Sequence, residues 1–393
     1  MSKTKSIAGI FTKRLAFLTK AGCFTDIRWE PQIPLKNIIL SFCLMPILKA
    51  HSMLEFDQKW SRDILFKKLF GKNVENRKMV SSDSTLQRVA RWIDQKETAR
   101  FLESLLSEYR KLDAWKCPLV GKGLSRKIGI IDGSVMNKHH LVALALYGKV
   151  IYPVRLVSCS GRGMELTEAK KLIQALVEDL GPSCPELLLF DGLYFTSTTF
   201  ESALANGMHI LVKCGDPEFR TVFKDAKFLF DAGQLAENSI TRKSGYDENR
   251  LCSWKMEKTS DTFAGHPVLV VHLVEDYAKD KKNPHRESWI ITSDLALSLG
   301  EIREAAHARW SIENDVFKKL SGLAATKHFH FKDPRAFMSM LMLFCAAVTA
   351  FELALQILAQ DQEFYKAFLD GMKVTVSGVD YRMFRSFQVG IFR

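Results

Sequence analysis

The sequence lacks the cysteine spacing of disulfide scaffolds and zinc sites. It has eight cysteines in 393 residues, and no two of them form a Cys-x-x-Cys pair. His139 with His140, and His328 with His330, also lack the further ligands at the spacing that a structural zinc site requires. The scattered cysteines therefore predict reduced, mostly buried thiols of a cytoplasmic protein.

Nucleotide-binding and membrane-targeting segments are missing as well. The sequence has no Gly-x-x-x-x-Gly-Lys-[Ser/Thr] loop, and the Gly-Arg-Gly at 161–163 is too short to indicate a nucleotide site. Lys13 and Arg14 interrupt the first apolar residues, which argues against a signal peptide. The most apolar run, 338–358, contains Glu352 and predicts a buried or dimer-forming helix rather than a membrane span.

Positive charge is abundant and lies at one end of the chain. The formal net charge is +12. Residues 1–126 contain 24 Lys and Arg against 12 Asp and Glu, whereas the remainder contains 32 of each. This distribution predicts a polyanionic partner, most often nucleic acid, and a solvated basic surface is the plainer alternative.

The basic N-terminal region has a helical pattern. Helices are predicted at 35–49, at 53–70, in a short stretch after Ser82, and at 97–111. Ser84 and Gln87 have the spacing of a capping box, and Arg88 and Arg91 then lie on one face of the short helix. That face is a candidate for contact with a DNA groove, and an exposed basic face on a helical bundle is an equal alternative.

After residue 126 the hydrophobic pattern becomes that of alternating strands and helices. Strands are predicted at 127–132, 141–147, 151–159, 186–191 and 208–214, and helices at 165–180 and 196–206. Residues 215–285 combine turn residues with strand-like runs such as 268–274, which predicts an inserted strand-rich subdomain. Helical composition returns at 300–320 and continues to 358.

Two aspartates and one glutamate stand out in this pattern. Asp132 and Asp191 each end a predicted strand and precede a glycine. Side chains at the carboxyl ends of neighbouring strands converge on a crevice, so this pair could share metal ions, although Asp-Gly is also a common turn. Glu313 follows Arg309 by four residues and shares its helix face, a spacing that a surface ion pair also has.

The order of these features resembles the DDE transposases of bacterial insertion sequences. The resemblance covers about residues 80–345, and its most specific piece is Ala-Arg-Trp-Ser-Ile-Glu at 308–313, after the strand at 289–293. The branch with a β-rich insertion between the second Asp and the Glu matches best, because 122 residues separate Asp191 from Glu313.

The resemblance implies an α/β fold class: an RNase H-like mixed sheet with flanking helices, an inserted β-rich subdomain and a helical N-terminal domain. It divides the chain into a basic DNA-binding domain at 1–120, two parts of the catalytic domain at 121–214 and 287–335, the insertion at 215–286, and a C-terminal helical region at 336–393.

The resemblance also implies a reaction and its partners. Asp132, Asp191 and Glu313 would be catalytic residues and would hold two divalent ions, Mg or Mn, for cut-and-paste cleavage and strand transfer of DNA ends. Hard cations of this kind prefer oxygen ligands. The expected partner is double-stranded DNA with terminal inverted repeats, bound by a homodimer in a bacterial cytoplasm without membrane contact. Ile312 and Phe317 would anchor the helix that carries Glu313.

Further DNA contacts are expected from side chains around the carboxylates. Arg309 would contact a phosphate or orient Glu313, and Lys319 would contact the DNA. Trp254 in the insertion could stack on a displaced base, although a core tryptophan is the plainer interpretation.

Some residues depart from the family pattern or offer alternatives. Ala306 stands where the family's helix signature has Tyr, and Leu320 stands where it has Lys. Lys318 and Lys319 lie just before Leu320. These departures leave open a catalytically silent DNA-binding derivative, and an RNase H-like nuclease without strand transfer is the other alternative. Glu165, at the start of a predicted helix, and Asp315 are alternative carboxylates for the site, although a glutamate is also favourable at a helix N-terminus.

Overall fold

A nine-stranded mixed sheet organises the described part of the chain. The computed structural model describes residues 15–16, 20–47, 50–60, 81–112, 114–115, 117–118, 125–161, 163–214, 221–232, 237–238, 247–256, 263, 265–277, 284–322, 331 and 333–359. Helices flank the sheet, so the molecule has the mixed α/β architecture that its sequence pattern predicts.

The strands occur in the following order along the chain. A two-stranded ribbon comprises β1 (Cys117–Pro118) and β2 (Ser125–Arg126). The large sheet comprises β3 (Ile128–Met136), β4 (His139–Tyr147), β5 (Tyr152–Cys159), β6 (Leu187–Asp191), β7 (His209–Cys214), β8 (Glu237–Asn238), β9 (Asp247–Met256), β10 (Val268–Tyr277) and β11 (His285–Thr292). Their spatial order is β5-β4-β3-β6-β7-β11-β10-β9-β8. The pairs β3–β6 and β6–β7 are parallel, and the other pairs of this sheet are antiparallel.

The helices have the following bounds. They are α1 (Leu35–Ile47), α2 (Met53–Glu55), α3 (Asp83–Ala90), α4 (Gln95–Glu103), α5 (Leu106–Lys111), α6 (Glu165–Leu180), α7 (Ser197–Leu204), α8 (Thr221–Asp231), α9 (Leu299–Ala308), α10 (Lys318–Gly322) and α11 (Pro334–Ala359). A π-helical turn, Phe56–Trp60, continues α2, and the rest of the helix predicted at 53–70 lies outside the described residues. Another π-helical turn, Ile312–Phe317, joins α9 to α10.

The central strands are buried because their sequences are apolar on both faces. In β6 the four residues before Asp191 are all buried, as expected for a strand in the interior of a partly parallel sheet. The predicted strands from 127 to 214 and the helix at 165–180 are confirmed to within a few residues. Asp132 does not end its strand, however, because β3 continues to Met136 as one arm of a hairpin with β4.

The predicted insertion contributes strands to the same large sheet. Its strand-like composition is confirmed by β8, β9 and β10. These strands reach the rest of the sheet through β11, which pairs with β10 on one side and β7 on the other. Main-chain hydrogen bonds therefore run from the insertion to the strands beside Asp191.

The apolar helix α11 forms a core between the sheet and the N-terminal helices. It packs on α1, α4 and β5. The Cys43 thiol donates a hydrogen bond to the carbonyl of Leu343, and the Ser339 hydroxyl donates one to the carbonyl of Ile93. Residues 334–354 are long and apolar enough to cross a membrane, but the most apolar window is entirely buried inside the protein. Burial in a protein core therefore explains this composition, as the sequence predicts.

The N-cap of α3 differs from its predicted position. The capping side chain is Ser82, whose hydroxyl accepts from the amide of Thr85 at 3.3 Å, while Ser84 lies within the helix. Ser82 has the extended backbone that an N-cap requires, because the helix begins at Asp83. Predicting the capping box from Ser84 and Gln87 was wrong by two residues.

Candidate active site

Asp132 and Asp191 lie at the same level on adjacent parallel strands. Strand β3 pairs with β6 in a register that joins Ile130 to Leu189, two residues before each aspartate. Neighbouring strands are about 4.8 Å apart, so the two carboxylates project from the same edge of the parallel ladder. Beyond this level β3 leaves β6 and continues only with β4, which opens space beside both aspartates.

Helix α9 and the π-helical turn after it bring Arg309 and Glu313 to this edge. The helix begins with a reciprocal capping box, in which Ser298 and Glu301 each bond the other's backbone amide. Ile312 and Phe317 are buried, as the sequence predicts for an anchored helix. A π-turn widens the helix by one residue per turn and is frequent at functional sites, so it can direct Glu313 away from the buried face.

Arg309 joins Asp132 to Glu313. Its Nη1 atom lies 2.9 Å from Oδ2 of Asp132 and 3.6 Å from Oε1 of Glu313. Those two carboxylate oxygens can therefore be no farther apart than the sum of the two distances. The side chains of Arg309 and Asp132 are 7% and 9% exposed, whereas that of Glu313 is 47% exposed. Arg309 and Asp132 thus form a buried ion pair, whereas the Glu313 carboxylate is about half exposed to solvent.

The surroundings of Asp132 disfavour the charged form of its carboxyl group. Burial raises its pKa to about 7, and the negative charges of Asp191 and Glu313 contribute to the rise. Arg309 and a hydrogen bond from the Gly133 amide at 2.9 Å oppose it. Three acidic groups therefore act on one another at this edge of the sheet, and a cation placed among them would relieve the repulsion.

Glu165 and Tyr194 extend this acidic cluster. Glu165 is buried, and its Cδ atom lies 2.9 Å from the position that a Cβ atom on Gly133 would take. Tyr194 is 1% exposed, and its hydroxyl has no hydrogen-bond partner among the described residues. The pKa of Tyr194 is raised far above its usual range by burial and by Asp132 and Glu165. The sequence prediction singled out Glu165 as an alternative carboxylate, but it missed Tyr194.

A basic and aromatic group adjoins the carboxylates on the side of β7. Lys213 pairs with Asp191 across the parallel ladder, and its Nζ lies 4.2 Å from the centroid of the Trp310 ring. Burial lowers the pKa of Lys213. One sequence feature could have revealed this group. It is the charged residue near the end of the otherwise apolar strand Ile-Leu-Val-Lys-Cys.

A buried ion network supports α9 behind this group. Glu275 on β10 accepts hydrogen bonds from Arg303 Nε at 2.7 Å and from His307 Nε2 at 2.8 Å. Glu275 is 1% exposed. Burial by itself would raise its pKa, but the hydrogen bonds and charges of His307 and Arg303 outweigh burial and lower it to about 2. The network ties the helix that carries Arg309 to the strands of the predicted insertion.

Of the other predicted DNA contacts, two lie apart from the carboxylates and two have side chains outside the described part of the chain. Arg88 and Arg91 are exposed at the end of α3, where the Arg88 guanidinium lies 5.9 Å from the ring centroid of Trp92. No ion pair or hydrogen bond links either arginine to the carboxylate cluster within the described residues. The side chains of Trp254 and Lys319 fall outside the described part of the chain, so their predicted roles stay predictions.

The donor set suits a hard divalent cation chemically. Asp132, Asp191 and Glu313 offer only carboxylate oxygens, the ligands that Mg and Mn prefer. In the arrangement described, no three Asp, Glu, His or Cys side chains already converge on a point that suits a metal ion. The Arg309 guanidinium instead stands between Asp132 and Glu313 as the cation of the site. The residues therefore fit the ion chemically, and binding it requires the side chains of Arg309 and Glu313 to rearrange.

Comparisons with known proteins found similarity among solved structures but not among sequences. No protein-family model matches the chain, and no curated protein sequence matches it. Among solved structures, the chain is similar to piggyBac transposase in a synaptic complex with hairpin DNA, with a TM-score of 0.37 and 10% sequence identity. The similarity covers 98% of this chain and 84% of that one. A TM-score this low carries no argument about function, which must come from the site itself.

Proposed function

We propose that this protein is a DNA transposase of the DDE type with an RNase H-like catalytic domain. The observation that supports it best is the meeting of Asp132 and Asp191, level on adjacent parallel strands, with Glu313, held near them through Arg309. Three carboxylates at one edge of a mixed sheet offer oxygen ligands that could hold two divalent ions for phosphodiester chemistry.

In the proposed reaction Asp132, Asp191 and Glu313 would together hold two divalent ions. The bound ions would activate the attacking oxygen and stabilise the leaving oxygen. Water would attack the phosphodiester first and break its P–O3′ bond, which releases a DNA 3′-hydroxyl and leaves a 5′-phosphate. That 3′-hydroxyl would then attack a phosphodiester of the target and displace the target's 3′-hydroxyl. The Nε atom of Arg309 is buried without a hydrogen-bond partner among the described residues, and a side-chain rearrangement that exposes it would supply a donor for a phosphate oxygen.

The proposed substrate is double-stranded DNA with terminal inverted repeats, cut and joined by a homodimer in a bacterial cytoplasm. Two DNA ends must be joined together, which calls for two active sites. The net charge of +12, concentrated in residues 1–126, supports a DNA partner. Arg88 and Arg91, exposed on one short helix, are the proposed groove contacts.

The test of the reaction uses DNA that carries the short inverted repeats flanking the coding region. With Mg or Mn, the protein should nick this DNA and join the ends to a target. Asp132→Asn, Asp191→Asn and Glu313→Gln should each reduce cleavage by at least a hundredfold. Asp231→Asn is the matched control, because Asp231 is an exposed acid paired with Lys227.

Each outcome of this test has a distinct meaning. Near-native cleavage by one of the three site variants would remove that residue from the mechanism. Cleavage without any joined product would favour a nuclease without strand transfer. Specific binding to the repeats without cleavage under any metal condition would favour a silent DNA-binding derivative.

Recognition is better tested by substitution than by removal of the N-terminal region. Because α1 and α4 share a core with α11, a truncation at residue 110 would uncover apolar surface of α11. Arg88→Ala combined with Arg91→Ala should weaken binding to the repeats at least tenfold while the melting temperature stays unchanged. Unaltered affinity for the repeats would exclude this helix as the groove contact.

A further inference from the structure

We propose that Lys213 and Trp310 form a binding site for one phosphate group of the DNA backbone, beside the carboxylate cluster. The proposal rests on the proposed function and adds a substrate contact that the sequence pattern did not predict. Its basis is a partly buried ammonium group placed next to Asp191 and held on an aromatic face rather than by an acid.

The first observation is the position of Lys213. It is paired with Asp191 across the parallel strands β6 and β7, so it stands one strand away from a proposed catalytic carboxylate. Strands lie about 4.8 Å apart, and a lysine side chain is longer than that distance. An anion held by the ammonium group would therefore lie within one or two phosphate spacings of the cleaved bond.

The second observation is that Lys213 has no close carboxylate partner. Within the described residues, no acidic oxygen lies within 4.0 Å of its Nζ atom, although the charges of Glu275 and Asp191 act on it from farther away. Glu275 already accepts from Arg303 and His307, so its oxygens are occupied. Removing an ammonium group from water without an anion is unfavourable, and a bound phosphate would supply the missing charge.

The third observation is the placement of Trp310. Its ring lies 4.2 Å from Lys213 Nζ and 5.9 Å from the guanidinium carbon of Arg309, so one ring faces two cations. His307 meets the same ring edge to face at 5.6 Å between centroids. The ring thereby helps to hold Lys213 in position through a cation–π contact. Arg309 is already paired with Asp132, so the ammonium group of Lys213 is the cation that remains for an anion, and the Arg309 charge adds to the positive potential around it.

A DNA phosphate is the anion that this location favours. The neighbouring carboxylates repel acidic side chains and free anions alike, whereas a phosphate in a DNA strand is delivered by the many other contacts of that strand. A single phosphodiester carries one negative charge, which matches the charge of Lys213. Lysine acts at such a site as a point charge and needs no planar, bidentate partner.

The test compares the affinity of the full-length protein for a duplex carrying the inverted repeats over a range of salt concentrations. Each phosphate contact contributes about 0.9 to the slope of log K against log salt. Lys213→Met should reduce the affinity at least fivefold and lower the slope by about 0.9, and Lys213→Arg should keep most of both. Lys227→Met, which removes an exposed lysine on α8, is the matched control and should change neither.

Variants of the ring and a free anion separate the proposal from a purely structural role. Trp310→Leu should weaken binding in the same direction as Lys213→Met, and Trp310→Phe should weaken it less because a phenyl face still attracts the ammonium group. If Lys213→Met lowers the melting temperature but leaves affinity and salt slope unchanged, Lys213 is structural and the proposal fails. The proposal also fails if inorganic phosphate stabilises the wild type over Lys213→Met while DNA binding is identical. Absence of DNA binding by the wild type would instead overturn the proposed function.

Discussion

Arg309 donates a hydrogen bond to Asp132, with 2.9 Å between Nη1 and Oδ2, and both side chains are more than nine-tenths buried. Burying a carboxylate and a guanidinium together costs desolvation that their attraction must offset. The raised pKa of Asp132, about 7, shows that the carboxylate charge is poorly stabilised even with Arg309 beside it. Arg309 and a divalent cation are therefore alternative partners for the same oxygen atoms.

The first prediction follows from this competition. Without DNA, Arg309→Ala should bind Mn at least fivefold more tightly than the wild type, since the guanidinium no longer occupies the space between Asp132 and Glu313. With a chelator present to remove metal ions, its free energy of unfolding should fall by about 3 kcal/mol, because a buried carboxylate loses its partner. Calorimetric titration and chemical denaturation measure the two effects. Arg309→Lys keeps the charge and serves as the control, and equal Mn affinities would contradict the competition.

The second prediction concerns the capping box that starts α9. Ser298 accepts from the amide of Glu301 at 3.3 Å, and Glu301 Oε2 accepts from the amide of Ser298 at 2.8 Å. Ser298→Ala should reduce the free energy of unfolding by about 1 kcal/mol. Ser84→Ala is the matched control and should have a smaller effect, because Ser84 lies within α3 and is not its cap. Equal losses in denaturant titrations would show that the Ser298 cap does not stabilise α9.

Local patterns in the sequence predict much of the sheet but not its extent. Apolar runs bounded by turn residues predict the positions of β3 to β7, because each of these buried strands is a run of consecutive apolar residues. The joining of β11 to β7 depends on partners about 80 residues apart, and apolar alternation does not specify which strand a run will pair with. The continuation of β3 past Asp132 likewise depends on a partner strand, because these residues pair with β4 in a hairpin.

The candidate site shows the same division. The family resemblance singles out Asp132, Asp191, Arg309 and Glu313, and the structure pairs Arg309 with both Asp132 and Glu313. Lys213 is marked locally only as a charge in an apolar strand, and no local feature of the sequence distinguishes Trp310 or Glu275. Their association depends on the tertiary packing of α9 against β7 and β10.

The third prediction is a pH dependence of stability that originates at Glu275. Its folded-state pKa is lowered from 4.5 to about 2, so the charged form is favoured by folding. The stabilisation is present above pH 4.5 and is lost as the pH falls from 4.5 towards 2. Glu275→Gln should lower the free energy of unfolding at pH 7 by about 3 kcal/mol. The difference in free energy of unfolding between this variant and the wild type should shrink as the pH falls from 4.5 towards 2. A difference that stays constant over this range would contradict the lowered pKa of Glu275.

The fourth prediction concerns the close approach of Gly133 and Glu165. A Cβ atom at position 133 would lie 2.9 Å from Glu165 Cδ and 3.0 Å from Oε2. Gly133→Ala must therefore push the carboxylate aside. Because the end of a glutamate side chain can rotate, the free energy of unfolding should fall by only about 1 kcal/mol. Gly129→Ala is a contrasting control, since its Cβ would meet Pro185 and Leu188 in the packed core at 2.7 and 2.9 Å. That variant should be destabilised by about 2 to 3 kcal/mol.

A double-mutant cycle decides whether that displacement matters for the chemistry. If Glu165 is an accessory carboxylate of the site, Gly133→Ala and Glu165→Ala should each reduce DNA cleavage at least tenfold. The double variant should be no worse than Glu165→Ala alone, because the added methyl group then has nothing to displace. Residues in contact show such non-additivity, whereas independent sites add. Additive losses of cleavage would mean that Gly133→Ala acts on Asp132 through the backbone, and Glu165 would then be only a buried helix-terminal acid.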